Sequence, residues 1–455
     1  MKSLNLPSPA KKRIALRVTA AAERAIKRGH PWLFESAIIS QSHAGAAGDL
    51  AVIFDKKRNF LAVGLYDPDS PIRVRIVQRL KPATVGEAFF KAKLDAANQI
   101  RQPLRDAAKL TNGYRLVHGE NDGLPGLIID RYAETYVVKL YTPAWIPHLN
   151  DVLAALNHVI ASGAKQSPSP HAEIASAEKL PRNDVARVVL RLSDRLKNNN
   201  VGLKDGMVLQ GEPLDGAIIF HENGLRFEAD PVKGQKTGFF LDQRENRARV
   251  ETLAKGKRVL NVFSYTGGFS VYAARGGATE VTSLDASKPA TDAAERNFKL
   301  NFSPQSPYLA SPASGGGTSS PPVKRGKLEG GKIHTTITGD AFKEMTRMKN
   351  EGQRFEMVII DPPSFAKKAA QTDAAINAYQ KLTKLGLDIL APNGILVQAS
   401  CSSRVESDDF FDAIHIAAQQ HRRPINEIER TSHALDHPIG FKEGEYLKCL
   451  FAIAP

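Results

Sequence analysis

Cysteine is the side chain whose thiolate most readily attacks carbon near neutral pH, and this chain of 455 residues has only two. Cys401 stands in "GILVQASCSSRVESDDF", where the apolar run Ile395-Leu396-Val397 ends in a polar cluster. By itself that window favours a small residue closing a strand. Cys449, inside "HPIGFKEGEYLKCLFAIA", reads as core. Three carboxylates end similar apolar runs: Asp285 in "EVTSLDA", Asp340 after "HTTITG" and Asp361 in "FEMVIIDPP". A glycine pair, Gly267-Gly268, follows another run in "LNVFSYTGGFS". Carboxylates at strand ends accept hydrogen bonds from ribose hydroxyls or from an exocyclic amine.

These runs alternate with helical sequence from residue 256 onward, which predicts a doubly wound parallel sheet. In such a sheet ligands bind beyond the carboxyl ends of the strands. A dinucleotide fingerprint requires G-x-G-x-x-G, and Phe269 stands where its second glycine belongs. Nucleoside recognition without a pyrophosphate cradle points to S-adenosylmethionine. Each element also has a plain structural counterpart: the glycines as a turn, Asp285 and Asp340 as helix N-caps. Finding them in order at one edge favours the joint reading. In "DPPSF" two prolines stop the strand and hold Asp361 at the edge. Upstream, Asp242 and Glu245 in "GFFLDQREN" have capping-box spacing, and Gln243 is a weaker candidate for the cofactor pocket.

The front of the chain differs. Residues 12–80 read as short strands with one early helix in "AAAERAIKRGHPWLF", and "PIRVRIVQRL" alternates apolar and basic residues as a half-buried strand does. Residues 85–230 read as a small α+β unit. The Ser/Pro/Gly-rich stretches 162–181 and 303–332 lack the apolar residues to offset ordering entropy and read as disordered insertions. The end, "HPIGFKEGEYLKCLFAIA", predicts two strands around a Lys-Glu-Gly turn. The formal net charge is +14, and residues 1–80 carry fourteen Lys/Arg against six Asp/Glu. Such an excess favours a polyanion partner through phosphate contacts. Arg13, Arg17, Lys27, Arg28, Arg73 and Arg75 are the candidate contacts. Two cysteines favour a reducing compartment. No run approaches the ~18 apolar residues of a membrane helix, so a cytoplasmic protein without a membrane partner is expected.

Together "KTGFFLDQREN", "LNVFSYTGGFSVYAARGGATEVTSLDAS", "FEMVIIDPPSFAKK" and "VQASCSS" resemble a bacterial family of S-adenosylmethionine-dependent methyltransferases that act on carbon 5 of a cytosine in large-subunit ribosomal RNA. "RGHPWLFESAI" and "GLYDPDSPIRVRI" resemble its PUA domain, a small RNA-binding β-barrel. "HGENDGLPGLIIDRY" is similar to its central α+β domain, and "HPIGFKEGEYLK" to its closing hairpin. The resemblance implies an α/β class I methyltransferase, a Rossmann-like doubly wound sheet with an antiparallel C-terminal hairpin. A PUA-like barrel over 1–82 and a central domain over 83–230 would precede it, leaving 231–455 for catalysis. It implies a cofactor pocket lined by Gly267, Gly268, Asp285, Asp340 and Asp361, to which Gln243, Phe263, Tyr265 and Pro362 are added as neighbours. Cys401 becomes the nucleophile. The implied partner is large-subunit ribosomal RNA; a homodimer is compatible, and no metal is called for.

The chemistry gives Cys401 its purpose. Carbon 5 of cytosine is a poor nucleophile until a thiolate adds to carbon 6, so this methylation needs covalent catalysis while methylation of an exocyclic nitrogen does not. Many cytosine-5 RNA methyltransferases carry a second cysteine after the fourth strand; "DPPSF" has none, which leaves Asp361 or a water as the base. Two rivals remain: a guanine N-methyltransferase using "DPPSF" with Cys401 structural, and a non-catalytic RNA-binding assembly factor. Amino-methyltransferases often place an aromatic directly after D-P-P. Here Ser364 holds that place and Phe365 follows. The composition of 303–332 generates one prediction. Replacing it with a short Gly-Ser linker leaves melting temperature and activity nearly unchanged, as calorimetry and a methylation assay would show; loss of activity in a folded variant would mark a substrate-binding loop.

Overall fold

Ile14, Leu16 and Val18 point inward while Ala15 and Arg17 face solvent, the period-two pattern of a half-buried strand. In this computed structural model residues 4–106, 109–166, 186–197, 201–303, 334–366 and 368–455 are described. Most of the two Ser/Pro/Gly-rich stretches therefore lies outside the described residues; Ser162–Gln166 close a helix and Ser303 caps another. The first strand, β1 (Ile14–Val18), opens a six-stranded sheet of order β2-β6-β5-β4-β1-β3, with β2 (Trp32–Phe34), β3 (Ile38–Gln41), β4 (Leu50–Phe54), β5 (Phe60–Tyr66) and β6 (Ile72–Arg79). Helix α1 (Ala20–Lys27) is capped by Thr19, whose hydroxyl accepts from the Ala22 N–H at 3.3 Å. The helical pattern had extended through Phe34. It stops because Gly29 takes φ +110° and the chain turns into β2.

A second sheet has the order β11-β10-β9-β8-β7: β7 (Gly113–His118), β8 (Leu127–Tyr132), β9 (Thr135–Leu140), β10 (Arg187–Leu192) and β11 (Val208–Gln210). Helices α2 (Glu87–Ile100) and α3 (Leu149–Gln166) cover it. Val63, Leu65 and Val77 of the first sheet share a core with Phe90, Leu94, Trp145 and Leu190. Both sheets thus belong to one unit, residues 1–224 with 229–241 and 435–444.

Two expectations are corrected in this unit. Arg75 is not a surface cation: it is buried, 3.5 Å from the buried Asp67 carboxylate, which also accepts from Thr142 Oγ1 at 2.7 Å. Strand β6 is buried on both faces over Val74–Val77, so alternation there does not mark a wet basic face. Arg73 is largely covered, pairing with Glu35 at 2.5 Å. Arg13, Arg17, Lys27 and Arg28 are exposed, Lys27 in an ion pair with Glu23 at 2.6 Å. The second correction concerns the closing hairpin. His437–Phe441 form no strand, and Lys442–Gly444 is a 3-10 turn. Asp436 instead accepts from the Arg115 N–H at 2.7 Å and, through its carbonyl, from Arg101 at 2.8 Å. These buried charge-assisted bonds hold the segment away from a sheet ladder.

The short strands β12 (Ile218–Glu222) and β13 (Leu225–Ala229) lead into the second unit. There α4 (Arg244–Leu253), β14 (Arg258–Val262), α5 (Gly268–Arg275), β15 (Glu280–Asp285), α6 (Lys288–Phe302), β16 (His334–Thr338), α7 (Ala341–Asn350), β17 (Phe355–Ile360), α8 (Thr372–Ile389), β18 (Leu390–Ser400) and α9 (Ser407–Gln420) alternate as expected. Strands β19 (Asn426–Thr431) and β20 (Lys448–Ala454) complete a seven-stranded sheet of order β16-β15-β14-β17-β18-β20-β19. Strands β14 to β18 are parallel, and β20 lies antiparallel between β18 and β19. The antiparallel closure is present, but its first arm is β19.

The buried Arg75 makes a prediction. Arg75→Met leaves Asp67 without its cation and costs about 3–5 kcal/mol, so the thermal midpoint falls while the salt dependence of RNA binding is unchanged. If Arg17 contacts phosphate, as the charge of residues 1–80 leads one to expect, Arg17→Ala has the reverse signature: the midpoint holds and the salt slope drops by about one. A salt titration of both variants separates the cases, and a flatter slope for Arg75→Met would return that residue to the surface.

Candidate active site at the carboxyl edge of the sheet

The loop after β14 is built around left-handed backbone. Phe263 has φ 60°, Tyr265 φ 47° and Gly267 φ 77°. Two non-glycine residues in that region store strain that the surroundings must hold. They do so by aiming the Tyr265 N–H at Asp285 Oδ2, 2.9 Å away. The other oxygen, Oδ1, accepts from the Ser287 N–H at 2.9 Å. At Gly267 a Cβ would sit 2.8 Å from the Ala294 side chain, so the close approach of loop and α6 requires glycine. Asn297 on α6 donates to the Thr266 carbonyl at 2.8 Å. Below the loop, Asn261, Ser270, Ser283 and His334 form a string of hydrogen bonds between 2.7 and 3.0 Å. Burial beside Phe298 pushes the His334 imidazole down to about 4, so it stays neutral.

The structural counterparts of the strand-end acids now separate. Asp285 is not a helix cap; Ser287 caps α6. Asp340 is one: its Oδ1 accepts from the Lys343 N–H at 3.0 Å at the start of α7. Asp242 and Glu245 form no capping box. Helix α4 begins after Gln243 with no side-chain cap, and Asp242 instead accepts from the Tyr446 hydroxyl at 2.8 Å. Gln243 is buried, and its Oε1 accepts from Asn246 at 2.6 Å, which in turn accepts from Thr431 at 2.5 Å.

At β17 the chain stops at Asp361-Pro362, and the parallel neighbour β18 stops at Ser400. Cys401 is half-buried there, its Sγ 3.8 Å from the Pro362 carbonyl. Ser402 Oγ donates to the Ala366 carbonyl at 3.2 Å, tying the two loops together. Tyr379 on α8 lies below, hydrogen-bonded to Ser400 at 2.8 Å. Burial holds its phenol well above the ordinary value, and the negative charges of Cys401 and Asp361 act in the same direction. Lys448, the first residue of β20, is buried and donates to the carbonyls of Ser402 and Val405, each at 2.6 Å. Neither Tyr379 nor Lys448 was singled out in the sequence. A lysine opening the apolar run "KCLFAIA" was the available signal for the second. The sheet edge therefore gathers Tyr265, Gly267, Asp285, Asp340, Asp361 and Cys401 at the ends of five neighbouring parallel strands.

Comparison with known proteins bears on this edge. A family model described as S-adenosylmethionine-dependent methyltransferase matches residues 165–305, and one described as a PUA-like domain matches 16–79. A ribosomal RNA large subunit methyltransferase of Deinococcus radiodurans is 43% identical over 98% of this chain and 99% of its own. Ribosomal RNA large subunit methyltransferase I of Photobacterium profundum is 34% identical over 94% and 96%. The chain belongs to the ribosomal RNA large subunit methyltransferase family. It is an enzyme of the S-adenosylmethionine-dependent class, with an N-terminal PUA-like domain. A methyltransferase structure from Streptococcus mutans shares the fold, with TM-score 0.72 and 21% identity over 96% of this chain and 99% of the other. A methyltransferase complexed with SAH gives TM-score 0.73 at 20% identity, covering 97% and 99%.

The residues present fit this cofactor. A carboxylate offers about four lone-pair sites; the N–H groups of Tyr265 and Ser287 address two at Asp285, which leaves capacity for the two hydroxyls of a ribose. Loss of a charge-assisted hydrogen bond costs roughly 1.5–3 kcal/mol. Asp285→Ala is therefore expected to weaken S-adenosylmethionine binding about ten- to a hundred-fold by that arithmetic. Calorimetry on the folded variant checks this, and unchanged affinity would remove Asp285 from the pocket.

Proposed function

We propose that this methyltransferase transfers a methyl group to carbon 5 of a cytosine in large-subunit ribosomal RNA through a covalent adduct on Cys401. The observation that carries the reading is the place of Cys401: a partly exposed thiol at the end of β18, 3.8 Å from the carbonyl of Pro362 in the loop after Asp361. The relatives' names, ribosomal RNA large subunit methyltransferases, support the substrate class. Bound S-adenosylmethionine supplies an electrophilic methyl group. Asp285, with Gly267, Gly268, Tyr265 and Phe263 around it, holds the nucleoside part, and Asp340 and Gln243 complete the pocket. Asp361 and Pro362 form the ledge between that pocket and the base.

Cys401 does the covalent work. Its thiolate adds to carbon 6, the ring double-bond electrons shift to make carbon 5 nucleophilic, and N3 takes up a proton from solvent water. After carbon 5 has been alkylated, Asp361 or a water removes its proton, the electrons of that C–H bond re-form the carbon 5–carbon 6 double bond as the thiolate leaves, and N3 returns its proton to water. Ser403, where the family more often has glycine, does not strain this turn, since no residue from 401 to 406 has positive φ. Phe365 packs on Tyr379 with ring centroids 5.3 Å apart. With Ser364 in the place where an amino-methyltransferase carries its aromatic and Phe365 turned inward, no aromatic follows D-P-P to stack on a target base, which favours carbon methylation. The exposed Arg13, Arg17, Lys27 and Arg28 are proposed as phosphate contacts of a PUA-like domain over 1–82, ahead of a central domain over 83–230 and the catalytic domain over 231–455. Among the described residues no helix is long and apolar enough to cross a membrane; cytoplasmic work is proposed from the ribosomal RNA named for the relatives.

Cys401→Ser tests the reading. Methyl transfer is expected to fall below detection while S-adenosylmethionine affinity and melting temperature stay near wild type. RNA carrying 5-fluorocytosine traps the wild-type enzyme, because fluorine does not leave as a proton does. A denaturing gel then shows a protein–RNA band that needs both the cofactor and Cys401. Nucleoside mass analysis of the product identifies the methylated base. Full turnover by Cys401→Ser, with methylguanosine in the digest, would move the reaction to nitrogen methylation.

A further inference from the structure

Lys448 is an expensive residue in its place. It is 3% exposed, and an ammonium removed from water must be repaid by close partners. Its Nζ donates to the carbonyls of Ser402 and Val405 at 2.6 Å each and of Tyr446 at 3.4 Å. The first two belong to the turn that starts at Cys401. Lys448 also stands opposite Ser400 in the antiparallel ladder of β18 and β20, one residue from the thiol. The negative charges that act on it are those of Glu445, Cys401 and Glu406, and they oppose the burial that pushes its ammonium below the ordinary value. Glu445 and Glu406 are exposed, where solvent and salt screen them. Of the three, only Cys401 is partly buried.

We propose that Lys448 is a positioning residue for the reaction: its side chain pins the turn after β18, and its buried charge holds Cys401 as thiolate. The proposal deepens the covalent reading of Cys401 and rests on it. Other charged or titratable groups bear on the thiol. Asp361 follows β17 at the same edge, and Tyr379 on α8 is neutral. Among the described residues Lys448 on β20 is a buried cation whose Nζ binds the turn that starts at Cys401. Removing it raises the midpoint of Cys401. The thiolate fraction is then lost at neutral pH and recovered as pH rises.

The test uses full-length enzyme and iodoacetamide, scored at Cys401 by peptide mass; Cys449 is fully buried and serves as the internal control. Lys448→Gln keeps hydrogen-bond donors without the charge, and Lys448→Met removes both. Alkylation of Lys448→Gln is expected to shift its midpoint upward by about one pH unit or more, a roughly tenfold loss of rate below both midpoints. Trapping on 5-fluorocytosine RNA in this variant recovers as pH is raised. Lys448→Met loses trapping at every pH, since the turn is no longer held. If a folded Lys448→Gln gives the wild-type alkylation profile, the charge has no role and the proposal fails. The alkylation measurement does not depend on turnover, so it stands apart from the covalent reading, which fails separately if Cys401→Ser methylates RNA.

Discussion

Parallel strands all leave a sheet on the same side, and that single constraint organises the catalytic unit. Because β14, β15, β16, β17 and β18 run parallel, their following loops open at one edge. Residues scattered from Tyr265 to Cys401 are thereby brought together without any being close in sequence. The antiparallel β20 obeys the same geometry in reverse. It enters where its neighbours leave, so its first residue, Lys448, arrives beneath the turn that its neighbour β18 makes on leaving. A site built this way needs little from each loop beyond one carboxylate or one turn, and the sheet supplies the register.

Much of this was legible because parallel strands buried on both faces are short continuous apolar runs, as β14, β15, β17 and β18 are; the edge strand β16, His334–Thr338, is only half-buried and is marked instead by its β-branched residues. The runs ending at Asp285, Asp340, Asp361 and Cys401 appear as β15, β16, β17 and β18. What sequence reasoning could not reach was the choice between local partners. Asp285 and Asp340 look alike as acids after a strand, yet Ser287 takes the cap in one case and Asp340 itself in the other. Asp242 had the spacing of a capping box and was drawn off by a hydroxyl some 200 residues later, Tyr446. Local spacing predicts local hydrogen bonds only when no distant partner competes.

Charge misled for a related reason. The alternation in "PIRVRIVQRL" is the pattern of a strand with one wet face, but Asp67 and Thr142 build a polar pocket that receives Arg75 inside. Arginine tolerates this because its guanidinium makes directed hydrogen bonds and is weakly hydrated. The closing segment shows the same effect. Asp436 serves Arg101 and Arg115, so His437–Phe441 leave the ladder and β19 takes their place beside β20. In both cases a buried ion interaction overrode a period read from apolar residues.

The two cysteines show how environment assigns chemistry to one residue type. Cys449 lies opposite Ala399, one pair in from the end of the ladder, fully buried, and burial pushes its thiol well above the ordinary value. A thiol that cannot ionise is a small apolar side chain. Cys401 is only two positions from Ala399, yet β18 has ended at Ser400, and the thiol stands half-exposed between the Pro362 carbonyl and the turn held by Lys448. Shifting it by one position into the strand would remove access to solvent and substrate. Shifting it one position along the turn, to 402, would bury it against the Ala366 carbonyl. The end of the strand is therefore where an accessible thiol and a rigid frame coincide, which is what a nucleophile that must add to a base and leave again requires.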